Sequence, residues 1–171
     1  MSTLRTADDS IGGRPSRFSQ GVAIAASLLA VTVLQSPINV APIVAVIGAI
    51  LLAFGVVRGN QRNVNRGIVV QLVAVVVASL EGVSPGQLLG GTMAILIAWD
   101  VARYGIVLST QLGHKPDTTR VELVHAAYSV GVGIAGVALV YGTYQLSINS
   151  ASVAGFSLLV AGVFVLTAAL R

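Results

Sequence analysis

The sequence predicts an all-α fold: a polytopic transmembrane bundle of six helices with both termini in the cytoplasm. The chain of 171 residues is 55% hydrophobic and only 9% charged, whereas soluble domains carry about 25% charged residues. Its apolar runs are long enough to cross a bilayer as helices, which satisfy their own backbone hydrogen bonds in lipid. Its Lys and Arg residues collect on one side of the predicted spans, as expected for cytoplasmic loops.

The first two spans follow a polar N-terminal segment. Residues 1–17 lack hydrophobic periodicity, so we predict a disordered cytoplasmic tail there. We expect spans over residues 18–36 and 38–57, joined by a tight turn because the connecting sequence SPINVAP contains two prolines and an asparagine. A cleavable signal peptide is the alternative for this region, but no small-residue cleavage motif follows the apolar run.

Four further spans complete the predicted six-helix domain over residues 18–171. They cover residues 67–83, 87–109, 120–144 and 150–170, each an apolar stretch of about 20 residues. The chain has no cysteine, which excludes disulfides, thiolate metal sites and iron–sulfur clusters.

Every Lys and Arg lies on the side of the bundle that the six-span prediction makes cytoplasmic, and the loops on the opposite side contain none. The net charge of +4 is therefore attributed to topology and not to nucleic-acid binding. Arg58, Arg62 and Arg66, between the second and third spans, are in addition candidates for contact with anionic lipid headgroups.

The fourth and fifth spans each carry two ionisable residues. Asp100 and Arg103 share one face of the fourth helix, and Glu122 and His125 share one face of the fifth, since both spacings are i, i+3. In an antiparallel pair joined by a short loop, residues equally far from the loop centre lie at similar depth. We therefore predict a ladder that pairs Arg103 with Glu122 and, deeper, Asp100 with His125 close to the bilayer midplane.

Charges at this depth need partners. A central Asp or Arg costs about 2.5 to 3.5 kcal/mol on insertion scales, whereas each Leu, Ile or Val returns about 0.3 to 0.6 kcal/mol. Glu122 also ends the capping box TRVE, which favours a structural role. For Asp100 and His125 two interpretations stay open: a structural pair, or a proton or cation relay, because histidine changes charge near neutral pH.

Two further features concern helix packing. Ala127, Gly131 and Ala135 repeat every four residues on the fifth span, a spacing that lets helix backbones approach closely. We expect the partner helix to belong to the same chain, with another subunit as the alternative. Trp99 is expected to pack beside the ladder with its indole N–H bonded to a partner.

Motifs for catalysis, metals or cofactors are not recognised. The sequence lacks the patterns GxSxG, HExxH and GxxxxGK[ST], and GVGIAG at residues 131–136 lies within an apolar span. His114 is assigned to a loop and His125 to a span, so they are not expected to share a metal ion or a haem. We therefore predict a protein that is not an enzyme, with no metal, no cofactor and no nucleic-acid partner.

The segments WDVARYG, QLG and TTRVELVHAA resemble the motif region of an uncharacterised family of small multi-pass membrane proteins from halophilic archaea. The resemblance covers about residues 97–127, and elsewhere the chain is similar to the family only in being apolar. That family is a domain of unknown function, so the resemblance implies a membrane location and little chemistry. Haloarchaeal proteins are usually acidic, and this basic chain departs from that pattern.

The sequence favours a non-enzymatic subunit or scaffold of the cell membrane, because its loops are too short to form a soluble site and pairing accounts for its intramembrane charges. Its expected partners are the lipid bilayer and either another membrane protein or a second copy of the chain. The alternative is a small transporter or ion-conducting protein that uses Asp100 and His125 at the midplane. Against this alternative, no predicted span is visibly broken by an internal proline and no internal repeat is apparent.

Overall fold

The computed structural model of the protein describes residues 16–112 and 119–149. These residues form five α-helices and no strand, which confirms the all-helical prediction for the described ranges. The helices are α1 (Arg17–Val33), α2 (Val40–Val57), α3 (Gln61–Leu80), α4 (Pro85–Leu112) and α5 (Thr119–Asn149). The last four are long and apolar enough to cross a membrane, and α1, with 17 residues, is a shorter apolar helix.

The prediction of six helices is not supported. Five of the six predicted spans coincide with described helices, with ends that differ by several residues. The predicted sixth span, residues 150–170, lies outside the described residues. So does the predicted tail, except for Ser16 and Arg17, which are the N-cap and the first residue of α1.

Polar side chains determine where two of the helices begin. Ser16 Oγ accepts a hydrogen bond of 3.1 Å from the backbone N–H of Ser19 at the start of α1. Asn60 Oδ1 accepts from two backbone N–H groups in the first turn of α3. This cap explains why α3 begins at Gln61, six residues before the predicted span, since capping makes the polar first turn helical too.

The pair α2 and α3 is held at close range by glycines. A Cβ atom added at Gly67 would lie 2.5 Å from the backbone nitrogen of Leu52, and one added at Gly55 would lie 2.5 Å from that of Val64. Such distances are shorter than any van der Waals contact, so the two backbones approach only because these positions lack side chains.

The helices α1 and α3 run in the same direction and in register. Gln71 on α3 bonds to Ser27 on α1, and Ser36, just after α1, bonds to Glu81, just after α3. The two pairs are separated by 44 and 45 residues in sequence, so the two helices begin at nearly the same level. α1 packs against α4 and α2, and α3 also packs against α4.

The chain divides into two compact units, residues 1–131 and 132–171. The first contains α1 to α4 and the beginning of α5, with a core of small and aliphatic residues from Ala23 to Ala126. In the second unit the described residues continue α5, where Gln145 Nε2 donates a hydrogen bond of 3.0 Å to the hydroxyl of Tyr141.

Candidate functional site

Asp100 on α4 and His125 on α5 lie together, as the sequence predicts. His125 Nε2 is 2.9 Å from Asp100 Oδ2, although it makes no hydrogen bond of acceptable geometry, so the contact is electrostatic. Ser129 Oγ donates a hydrogen bond of 2.5 Å to the same carboxylate oxygen. The ring of Tyr104 stacks on the imidazole with centroids 3.9 Å apart. We call these four side chains the α4/α5 polar cluster.

Helical spacing brings the cluster together. Asp100 and Tyr104 are four residues apart on α4, as are His125 and Ser129 on α5, so each pair projects from one helix face. In the first unit α5 contributes one face to the bundle: Ala126 is buried on this face, and His125 and Ser129 are half-buried.

The structure does not pair Arg103 with Glu122, which corrects the outer half of the predicted ladder. Glu122 is 4% exposed and accepts a hydrogen bond from the hydroxyl of Ser16 at the start of α1. Arg103 is exposed, and its guanidinium carbon lies 5.6 Å from the centroid of the Trp99 ring. The physical reason is a third helix: α1 begins beside α5 and supplies a neutral hydroxyl that satisfies the carboxylate.

The level of the cluster within the bundle also differs from the prediction. Trp99 Nε1 donates a hydrogen bond of 3.2 Å to Asn65 Oδ1, which supplies the expected partner of the indole. Asp100, the next residue, is therefore level with the second turn of α3 and not with its middle. The prediction placed Asp100 by its distance from the end of α4. That distance does not give its depth in the bundle, because α4 continues to Leu112, beyond the level at which α3 starts.

The polar contact in the middle of the bundle joins Gln71 to Ser27. The side chain of Gln71 is fully buried, and its Nε2 donates to Ser27 Oγ at 2.9 Å and to the Ser27 carbonyl at 3.3 Å. Its Oε1 has no hydrogen-bond partner. A Cβ atom added at Gly48 would lie 2.6 Å from Cγ of Gln71, so α2 closes over this side chain.

Glu81, which no sequence pattern singled out, connects the ends of α1 and α3 to the start of α2 at the opposite end of the bundle. Its Oε2 accepts hydrogen bonds from the hydroxyl of Ser36 and, at 3.2 Å, from the backbone N–H of Ala41. Ala41 lies in the first turn of α2, where the helix dipole favours a negative charge. The available signal was an acidic residue near the end of an apolar span, on the side without Lys or Arg.

The other predicted site residues are exposed. Arg58, Arg62 and Arg66 form no ion pair with an acidic residue of the described ranges, and the guanidinium carbon of Arg58 lies 3.9 Å from the centroid of the Phe54 ring. Their exposure leaves these charges available to an external anion.

The small-residue stripe is exposed among the described residues, with open space at Gly131. Ala127 and Gly131 are exposed, and no heavy atom outside their own helix lies within 4 Å of a Cβ atom added at Gly131. Ala135, in the second unit, is also exposed. The expectation that this stripe packs within the chain stays a prediction.

In the α4/α5 polar cluster one carboxylate faces one imidazole. Within residues 16–112 and 119–149, no three His, Cys, Asp or Glu side chains lie close enough to hold a metal ion. The carboxylate, the imidazole and the Ser129 hydroxyl are groups that can link two helices by hydrogen bonds, and an imidazole can also exchange a proton near neutral pH.

A protein family described as "Family of unknown function (DUF7519)" matches residues 13–167 of the chain. The match covers most of the sequence, so the chain belongs to this family. No curated protein and no solved structure matches the chain.

Proposed function

We propose that this DUF7519 member is a non-enzymatic subunit or scaffold of the cell membrane, with six spans and both termini in the cytoplasm. The observation that carries the proposal is the spacing of its buried polar groups. On α1, Ser19 and Ser27 are buried and eight residues apart, which corresponds to about 12 Å along a helix. The next buried polar residue, Ser36, is nine residues further on. Hydrogen bonds span about 3 Å, so these groups link helices but form no continuous polar path.

The exterior of α2 supports a location in the bilayer. Its exposed residues include large apolar side chains at helical spacing, among them Ile43, Ile47, Ile50 and Phe54. A continuous apolar surface of this kind is unfavourable in water and typical of a helix that faces lipid or a partner helix. The even number of spans and the cytoplasmic termini rest on the distribution of Lys and Arg. The proposed host, a halophilic archaeon, rests on the resemblance over residues 97–127.

The partner surface that we propose is the exposed stripe of Ala127 and Gly131 on α5. Small residues allow close backbone contact between helices in lipid. Both residues are exposed, and a Cβ atom added at Gly131 meets no atom of another described helix within 4 Å. The partner is then another membrane protein or a second copy of the chain.

A proton or ion transporter is the second candidate, favoured by the 2.9 Å contact between His125 and Asp100. The side chains of His125 and Asp100 are partly exposed, 29% and 45%. The apolar intervals between the buried serines of α1 argue against the passage of protons or ions from this cluster to the opposite end of the bundle.

The experiment that separates the candidates is affinity purification of the tagged full chain from its host membrane, with the stoichiometry of co-purifying proteins measured. A subunit gives a partner at a fixed ratio that is lost in Gly131→Leu. The matched control is Gly21→Leu, at an exposed helical glycine of α1 with open space around it, which retains the partner. If the chain purifies without another protein, it is not a subunit of a complex with a different protein. If its mass is also that of a monomer, self-association is contradicted as well.

A further inference from the structure

Arg62 on α3 and Arg103 on α4 have no acidic partner among the described residues and lie at about the same level of these neighbouring helices. Arg103 lies one turn beyond Trp99 on α4, and Arg62 lies one turn before Asn65 on α3. The hydrogen bond of 3.2 Å between the Trp99 indole and the Asn65 side chain fixes the register of these antiparallel helices. Both arginines therefore flank that bond on the same side, toward the end where α3 begins.

Arg103 forms no ion pair with an acidic residue of the described chain. Glu122, the carboxylate expected to pair with it, is bonded to Ser16, and the guanidinium contacts only the ring face of Trp99 at 5.6 Å. Neither Arg103 nor Arg62 forms an ion pair with an acid in the described ranges. A guanidinium at the edge of the hydrocarbon region is costly without a counter-charge or water, so an anion from outside the chain would stabilise this arrangement.

Apolar faces continue directly from the two arginines toward the middle of the bundle. On α3, the residues seven, eleven and fourteen positions after Arg62 lie on the same face, and all are at least half exposed: Val69, Val73 and Val76. On α4, Leu96, seven positions before Arg103, is also exposed. The surface thus carries positive charge at one end and a strip for hydrocarbon along its length.

We propose that this seam between α3 and α4 binds an anionic phospholipid, with the headgroup phosphate between Arg62 and Arg103 and an acyl chain along Val69 and Val73. Guanidinium groups bind phosphate oxygens through paired N–H donors, and the indole of Trp99 suits the headgroup level. The apolar strip favours a lipid over a free phosphate ion, because only a lipid has an acyl chain that can pack along it. This inference rests on the membrane location proposed above, but not on the subunit role.

The single tryptophan of the chain, Trp99, reports on the site directly. The full chain is reconstituted into vesicles of phosphatidylglycerol and phosphatidylcholine, with only one of the two lipids brominated on its acyl chains. At equal mole fraction, brominated phosphatidylglycerol is expected to quench Trp99 fluorescence several times more effectively than brominated phosphatidylcholine. At about 1 kcal/mol per arginine, Arg62→Gln or Arg103→Gln lowers the relative affinity for the anionic lipid about fivefold.

The matched control is Arg120→Gln, which removes the same charge from an exposed position at the start of α5 and leaves the preference unchanged. Equal quenching by the two lipids in the unsubstituted protein overturns the inference, and this comparison needs no variant to fold. A loss in Arg120→Gln as large as in Arg103→Gln overturns it as well.

Two further outcomes distinguish the source of the phosphate and the membrane location. Inorganic phosphate is expected to displace the anionic lipid no better than chloride does at equal ionic strength. Stronger displacement by phosphate contradicts a lipid site and favours a site for a free anion. If neither brominated lipid quenches Trp99, the proposed membrane location fails together with the lipid site. Equal quenching by both lipids agrees with the membrane location and contradicts only the anionic-lipid site.

Discussion

The side-chain amide of Gln71 on α3 donates a hydrogen bond of 2.9 Å to the hydroxyl of Ser27 on α1, close to the middle of both helices. The bond fixes the register of two helices that are separated in sequence by α2. The same amide leaves Oε1 without a partner, so the contact satisfies only half of the polar group that it buries. A half-satisfied amide contributes to specific pairing of the helices more than to their stability.

The double variant Gln71→Met with Ser27→Ala is therefore expected to change stability little, because apolar side chains replace both partners of the hydrogen bond and the unsatisfied oxygen is removed. Thermal unfolding of the purified chain in detergent measures the effect. A double-mutant cycle with Ser27→Ala should give a coupling of about 0.6 kcal/mol, the average for such bonds in membrane helices. A coupling of several kcal/mol contradicts this account.

Gly67→Ala is expected to be strongly destabilising, by about 2 kcal/mol or more, because its methyl group meets the backbone of Leu52 at 2.5 Å. Backbone cannot move aside as a side chain can. The matched control is Gly21→Ala in α1, where a Cβ atom meets nothing within 4 Å and the better helix propensity of alanine gives an unchanged or slightly higher melting temperature. Equal effects at the two glycines contradict the close approach of α2 and α3.

Glu81→Gln is expected to destabilise the protein by about 1 to 3 kcal/mol, because Glu81 accepts two hydrogen bonds, one of them from the N-terminal turn of α2. Unfolding measurements check the magnitude, and faster hydrogen exchange in the first turn of α2 checks the location. Ser79→Ala serves as the control, since the Ser79 hydroxyl bonds only to a carbonyl of its own helix. A larger loss of stability in Ser79→Ala than in Glu81→Gln runs against the prediction.

Asp100→Asn is expected to leave proton leak across proteoliposomes unchanged, because the apolar intervals on α1 separate the α4/α5 polar cluster from the opposite end of the bundle. A pH-sensitive dye trapped in the vesicles measures the leak, with empty vesicles as the baseline. The same result is expected for His125→Ala. A leak above the baseline that disappears in both variants favours the transporter.

Single-cysteine labelling tests the predicted topology in a chain that has no cysteine of its own. Gln61→Cys, at the start of α3, should react with a membrane-impermeant maleimide only from the cytoplasmic side. Gly86→Cys, in the first turn of α4, should react only from outside, because the two positions lie at opposite ends of α3. Labelling of both from the same side contradicts a membrane-spanning α3.

The contact between Asp100 and His125 could be predicted because it depends on two consecutive helices joined by a short connection. Equal distance from the loop centre fixes relative depth, and the i, i+3 spacing fixes the shared face. The partner of Glu122 could not be predicted in the same way. Ser16 precedes it by 106 residues, and the position of the α1 start beside α5 depends on how α1 packs against α4.

The sequence by itself determined the class of structure. A long apolar run in lipid must form a helix to satisfy its backbone, so hydropathy indicates the helices without knowledge of packing. Positive charges resist transfer across the membrane, so their distribution predicts the orientation. Tertiary structure alone decided which polar groups meet. Gln71 forms a hydrogen bond with Ser27, and Glu81 forms one with Ser36. Arg103 has no acidic partner among the described residues. The bond between Gln71 and Ser27 joins α3 to α1, and Ser16 at the start of α1 takes the carboxylate of Glu122 on α5. These contacts depend on the register between helices that are not consecutive in sequence, and no local pattern encodes that register.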